Sequence, residues 1–183
     1  MRYYEALGAE PKLALDSEDL KQRFYNLSRQ WHPDRFGRAS LGEQQKALEM
    51  TAELNDAFRT LKDPISRAEY LLEESGLGPS KSAPAELLEE VFELNMALDE
   101  LRDGDESVRG QLDEARGRFI AMREEIDTGL TAMFARYDAA PAPAILSEIR
   151  AALDRRRYVS NLVRDVDKEL DKKLRNELTG KQN

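Results

Sequence analysis

Residues 29–36, RQWHPDRF, contain the only histidine and the only tryptophan of this 183-residue chain. His32 and the carboxylate of Asp34, two positions later, are side chains of the types that form acid–base pairs in enzymes. No nucleophile and no phosphate-binding loop accompanies them. The chain has no cysteine, which excludes thiolate chemistry and disulfides, and a single histidine excludes any site that needs two imidazoles. We therefore predict that the chain is not an enzyme and holds no metal or cofactor.

Charge and hydropathy narrow the classes of partner. The net charge is −8, whereas binding to a nucleic-acid backbone needs a basic face, so we expect no nucleic-acid partner. No apolar run approaches the roughly 20 residues that cross a bilayer. The N-terminal stretch MRYYEALGAE also lacks the apolar segment of a signal peptide. We expect a soluble, cytoplasmic protein that binds no membrane.

A proline sets the position of the histidine. The segment before it predicts an amphipathic helix, capped by Asp16 or Ser17, with an apolar stripe spaced by four, three and four residues: Leu20, Phe24, Leu27 and Trp31. Pro33 donates no backbone hydrogen bond and disfavours the helical conformation for His32. The helix should therefore end near Trp31, which leaves His32, Pro33 and Asp34 in a turn beyond it.

The rest of the N-terminal part also reads as helices. A short helix should end at Gly8, and Ser40 with Glu43 has the spacing of a capping box that opens a third helix. The buried stripe of this third helix is predicted to be Ala47, Met50 or Thr51, Leu54, Phe58 and Leu61. Asp63 followed by Pro64 predicts the start of a short fourth helix.

A Gly-, Ser- and Pro-rich stretch around residues 74–86 separates this part from three longer helices with seven-residue spacing. The first longer helix has its seam at Leu87, Val91, Leu94, Leu98 and Leu101. Short connections between long helices predict antiparallel neighbours. We therefore expect an all-α protein, with an antiparallel helical hairpin and two short helices in residues 1–75, a linker over 76–83 and a three-helix antiparallel coiled-coil bundle over 84–178.

The N-terminal part resembles a J-domain. The match includes the His32-Pro33-Asp34 tripeptide at the end of a helix, the opening YYEALG of residues 3–8, and LNDAFRTLKDPISRAEYLL of residues 54–72. The ending DPISRAEYLL, the length of the chain and the acidic helical bundle make it similar to the HscB family of iron–sulfur cluster assembly. Because no cysteine-rich module precedes the first helix, the bacterial type of this family is the better match.

The resemblance implies a co-chaperone. J-domains bind the ATPase domain of a DnaK-type chaperone and accelerate its ATP hydrolysis, here expected for an HscA-like partner. The residues implied in chaperone binding are the tripeptide and the basic side chains of the second helix: His32, Pro33, Asp34, Lys21, Arg23 and Arg29. Tyr25 and Asn26 stand where many J-domains carry Lys or Arg, which is compatible with a dedicated chaperone.

A second apolar stripe lies on the first bundle helix, about 100° from its seam, at Leu88, Phe92 and Met96. The periodicity leaves two alternatives, burial against the other bundle helix or exposure as a binding face rimmed by acids. In HscB proteins the corresponding face holds the iron–sulfur scaffold IscU. The resemblance implies these scaffold-binding residues: Leu88, Phe92, Glu93, Met96, Glu100 and Tyr158. A different client, or self-association of the bundle through its heptads, stays an alternative.

Overall fold

A computed structural model describes residues 1–80 and 84–180 of the protein, with side chains up to residue 172. Within these residues the chain forms helices and turns and no β-strand, as the sequence predicts. The α-helices are α1 (Arg2–Ala6), α2 (Ser17–Gln30), α3 (Leu41–Leu61), α4 (Pro64–Glu74), α5 (Leu88–Asp103), α6 (Arg109–Ala139) and α7 (Pro143–Gly180). Short 3₁₀ helices occupy Pro33–Phe36, Ala85–Leu87 and Glu106–Val108. The predicted all-α fold class is confirmed for the described residues.

The chain divides into two compact units. The first comprises Met1–Gly78 and Thr131–Arg150, and the second comprises Pro79–Leu130 with the described residues from Ala151 onward. Helices α6 and α7 therefore contribute residues to both units. Residues 81–83 of the predicted linker lie outside the described residues. The domain limits derived from the sequence stay a prediction.

The core of the first unit is formed mainly by α1, α2 and α3. Its buried members are Tyr4, Leu7, Leu20, Leu54, Ala57 and Leu61. The remaining members of the predicted α2 stripe are half-buried and pack against this core: Phe24, Leu27 and Trp31. Phe24 stacks on Phe58 of α3, with ring centroids 4.3 Å apart. The two periodic stripes thus meet as expected from the 3.6-residue period.

Local capping sets where these helices begin. The Asp16 carboxylate accepts hydrogen bonds from the backbone N–H groups of Glu18 and Asp19, and Asp63 accepts one from Ser66. Ser40 and Glu43 form the predicted capping box. The Ser40 hydroxyl and the Ser40 backbone N–H both donate to the Glu43 carboxylate and hold its pKa below its usual range. Each cap supplies a partner to N–H groups that the helix itself leaves unsatisfied.

A buried polar network holds the loop between α1 and α2. The Arg67 guanidinium of α4, only 4% exposed, donates to the carbonyls of Leu13 and Leu61. The Asp138 carboxylate of α6 accepts from the N–H groups of Leu13 and Ala14 at 2.8 and 2.7 Å. Burial lowers the pKa of Arg67, because it removes water from the charged group. The loop is thereby fixed from both its carbonyl and its amide side.

Replacing Arg67 by methionine is expected to lower the free energy of unfolding by about 3 kcal/mol, because two carbonyls lose their buried donor. Urea unfolding followed by circular dichroism measures this change. Arg59→Met is the matched control, since Arg59 is exposed and pairs with its neighbour Asp56 at 2.9 Å. That control should stay within about 0.5 kcal/mol of the parent. Equal unfolding midpoints for the two variants would contradict the role given to Arg67.

The second unit has its core between α5, the first part of α6 and the second part of α7. Four residues of the predicted α5 seam are buried in this core: Leu87, Leu94, Leu98 and Leu101. The fifth, Val91, is half-buried and packs against it. Leu112, Ala115 and Phe119 of α6 and Val159, Val163 and Val166 of α7 are also buried in this core. Gly104, at φ +104°, ends α5 in the left-handed conformation that glycine adopts without strain.

Candidate functional site

The His-Pro-Asp turn directly follows α2. The helix ends at Gln30 with Trp31 as its C-terminal cap, and Pro33 occupies the first position of the short 3₁₀ helix Pro33–Phe36. His32 lies between them, with φ −58° and ψ 128°. The predicted termination of α2 by Pro33 is confirmed.

The side chains of His32 and Asp34 are 57% and 90% exposed. The backbone N–H of Asp34 donates to Nδ1 of His32 at 3.3 Å, so in the neutral imidazole the hydrogen is carried by Nε2. The Asp34 carboxylate lies 3.5 Å from the same Nδ1. The turn therefore offers a partner molecule an imidazole whose Nδ1 is engaged within the turn, together with a solvated carboxylate.

Helix α3 and one aromatic stack support the turn from behind. Trp31 stacks on Phe36 with centroids 5.8 Å apart and planes 6° apart. The Thr51 hydroxyl of α3 donates to the Trp31 carbonyl at 3.0 Å, and the Lys46 ammonium lies 5.8 Å from the centre of the indole ring. Trp31 thus anchors the end of α2, as the sequence predicts, and fixes the backbone that presents His32.

An open groove of about 370 Å³ lies beside the turn. Its lining side chains are Tyr25, Ser28, Arg29, His32 and Arg35. The Arg35 guanidinium donates to the carbonyl of Arg29 at 3.2 Å, near the C-terminus of α2. Sequence reasoning missed Arg35, although its position directly after the tripeptide was a usable indication. For Tyr25 the sequence indicated only that it stands where many J-domains carry Lys or Arg.

The three basic residues predicted on α2 have different surroundings, although all are exposed. Lys21 pairs with Glu18 at 3.6 Å. Arg23 pairs with Asp19 at 2.7 Å and donates to the Gly8 carbonyl, so it also ties α2 to the end of α1. Of the three, Arg29 lines the groove beside His32.

The second stripe of α5 is exposed. Leu88, Phe92 and Met96 are 57%, 66% and 51% accessible, while the seam residues of the same helix are buried or half-buried. The alternative of burial against the bundle is therefore wrong for this stripe. Glu93 and Glu100 are exposed along the same helix. An exposed apolar strip with carboxylates beside it has the composition of a protein-binding surface.

Tyr158 of α7 lies half-buried against the core of the second unit. No cluster of three or more metal-ligating side chains occurs among the described residues. Searching that same part of the chain finds no helix long and apolar enough to cross a membrane.

Comparisons with known proteins find matching families for both halves of the chain. A family model described as "DnaJ domain" matches residues 2–70, and one described as "HSCB C-terminal oligomerisation domain" matches residues 83–167. The co-chaperone protein HscB homolog of Neisseria meningitidis serogroup B is 38% identical over 143 residues, covering 75% of this chain and 84% of that protein. The Shewanella baltica homolog is 32% identical over 177 residues, covering 93% and 100%.

Two solved structures have the same fold. The chaperone HscB from Vibrio cholerae matches with a TM-score of 0.65 at 26% identity, over 94% of this chain and 99% of that one. The human co-chaperone HscB matches with a TM-score of 0.66 at 25% identity, over 91% and 81%. The order of the two family models, the identity to full-length relatives and the shared fold lead to one conclusion: this chain belongs to the HscB family of J-domain co-chaperones.

Proposed function

We propose that this protein stimulates the ATPase of an HscA-like chaperone of the DnaK type and delivers an IscU-type iron–sulfur scaffold to it for cluster transfer. The observation that carries this proposal is the supported, solvent-exposed His-Pro-Asp turn. The protein's co-chaperone relatives imply that it catalyses no reaction itself, so the ATP is hydrolysed by the partner chaperone.

The turn suits the role of a trigger. Asp34 is almost fully exposed, and its carboxylate can accept paired hydrogen bonds from an arginine of the chaperone. The His32 ring, held through Nδ1 by the Asp34 N–H, can donate from Nε2. Because Trp31 and Phe36 fix the backbone around these groups, little conformational entropy is lost when a partner binds them.

The exposed face of α5 is the proposed contact for the scaffold. Leu88, Phe92 and Met96 supply apolar area, while Glu93 and Glu100 can pair with basic side chains around it. The family resemblance supports Tyr158 of α7 as a further residue of the proposed site. A chain that carries both the trigger and the client contact brings the scaffold to the chaperone at the moment when hydrolysis is stimulated.

A second candidate function has one observation in its favour. The family model that matches residues 83–167 is described as an oligomerisation domain, and self-association would also cover the α5 face. A different client is the remaining alternative. Sedimentation velocity of the protein alone tests self-association, because a dimer formed through α5 would be lost on replacing Phe92 by glutamate.

Single-turnover ATP hydrolysis by an HscA-type chaperone tests the main proposal. The rate is measured without this protein, with it, and with it plus the scaffold. We expect acceleration by the protein alone and half-maximal stimulation at lower protein concentration when the scaffold is present. An unchanged rate in all three mixtures would overturn the proposed function.

A further inference from the structure

The exposed face of α5 carries the most accessible methionine of the protein. The chain has five methionines and no cysteine, so thioethers are its only sulfur groups. Met96 is 51% exposed and Met1 is 36% exposed. The other three, Met50, Met122 and Met133, are half-buried. Because an oxidant must touch a methionine sulfur to oxidise it, Met96 is the sulfur of this chain that is most open to oxidation.

Met96 belongs to the apolar strip of α5. It lies one helical turn after Phe92 and two turns after Leu88, on the same side of the helix. These two neighbours are 66% and 57% exposed. In the proposed function this strip is the contact for the scaffold, so the Met96 thioether is buried when the scaffold binds. A flexible apolar side chain of this kind adapts to an irregular partner surface.

We propose that Met96 is a reversible oxidation site through which hydroperoxides control the binding of the scaffold. This inference rests on the proposed function, since it assigns a means of regulation to the scaffold contact. A hydroperoxide transfers one oxygen atom to the sulfur: an S–O bond forms, the O–O bond breaks, the thioether loses two electrons, and the peroxide leaves as water or an alcohol. In the return step a sulfoxide reductase removes the oxygen as water while two thiols are oxidised to a disulfide.

The sulfoxide is polar where the thioether is apolar. Its oxygen accepts hydrogen bonds, and burying an acceptor in an interface without a donor costs binding free energy. The exposed acids Glu93 and Glu100 on the same helix do not supply that donor, because an ionised carboxylate only accepts. In the free protein the oxygen stays in contact with water, since Met96 is exposed. Oxidation should therefore weaken the complex without changing the fold of the protein.

The test uses the full-length protein, treated with hydrogen peroxide and then desalted so that the scaffold never meets the oxidant. Peptide mass spectrometry verifies that Met96 has gained one oxygen atom, and titration calorimetry measures the affinity for the scaffold. We expect the dissociation constant to rise about tenfold, which corresponds to ~1.4 kcal/mol. Methionine sulfoxide reductases specific for the two sulfoxide epimers, supplied with a dithiol, should restore the value of the untreated protein.

Three variants serve as controls. Met96→Leu keeps an apolar side chain of similar volume without sulfur, so its affinity should match the untreated parent and should not change with peroxide. Met122→Leu removes a half-buried methionine that packs against the core of the second unit, and it should lose affinity on treatment as the parent does. Met96→Gln carries a permanent polar group and should bind the scaffold about tenfold more weakly without treatment.

The possible failures are distinguishable. If the parent with oxidised Met96 binds as tightly as before, or if Met96 stays reduced while Met1 is oxidised, only this inference is wrong. An equal loss of affinity in peroxide-treated Met96→Leu would also overturn it, because another residue would then be responsible. If the untreated parent does not bind the scaffold, the proposed contact on α5 fails, and the client part of the proposed function fails with it.

Discussion

Replacing His32 by glutamine is expected to return the ATPase rate of an HscA-type chaperone to within about a factor of two of its unstimulated value. Glutamine keeps a polar side chain but lacks the ring whose Nδ1 accepts the Asp34 N–H. The variant loses both the exposed Nε2 donor and the support that holds Asp34 in place. If the parent stimulates tenfold, this loss corresponds to ~1.4 kcal/mol of activation free energy. The measurement is the single-turnover rate at saturating co-chaperone.

His32→Gln should reduce only the stimulation of the chaperone's ATPase. Because the side chain is exposed and lies outside the core, helix content and thermal midpoint should match the parent, and scaffold affinity should be unchanged. Gln30→Ala, at an exposed position at the end of α2, is the matched control and should stimulate normally. Full stimulation by His32→Gln would mean that the turn is not the trigger.

Combining Leu88→Ala with Phe92→Ala is expected to weaken scaffold binding about 100-fold, since aromatic and aliphatic anchors carry most of the binding energy of such surfaces. Both side chains are more than half exposed in the free protein, so their truncation creates no cavity and should leave stability unchanged. Titration calorimetry with the isolated scaffold measures the loss.

The double variant should lose scaffold binding without losing stimulation of the chaperone's ATPase. Stimulation of the chaperone by the double variant alone should equal that of the parent, because the changed residues lie on α5 and the trigger lies in the turn after α2. Glu90→Ala, an exposed substitution about 160° around α5 from the centre of the apolar strip, is the control for non-specific effects. Undiminished scaffold affinity in the double variant would remove α5 from the proposed site.

Features encoded by neighbouring residues could be predicted from the sequence. Pro33 ends α2 because its ring acts on the residues next to it, and Ser40 with Glu43 forms a capping box across one helical turn. The seam of α5 follows from helical periodicity in the same way. The exposed position of His32 was predictable for this reason, since it depends on where one helix stops.

Contacts between distant residues could not be predicted in this way. Asp138 accepts from the amides of Leu13 and Ala14 across more than 120 positions, and no local pattern indicates that pairing. The hydrogen bond from Arg23 to the Gly8 carbonyl is of the same kind, because these residues lie 15 positions apart. Periodicity also left open whether Leu88, Phe92 and Met96 were buried, because that depends on how three helices pack together.

In the proposed function, one molecule carries both the trigger for the chaperone and the contact for the scaffold. The most direct test is single-turnover hydrolysis with chaperone and scaffold present, comparing the parent with an equal mixture of His32→Gln and the Leu88→Ala, Phe92→Ala double variant. Each variant keeps one intact site. We expect the parent to show scaffold-enhanced stimulation and the mixture to show only the level of the double variant alone. Parent-like enhancement by the mixture would contradict delivery by a single chain.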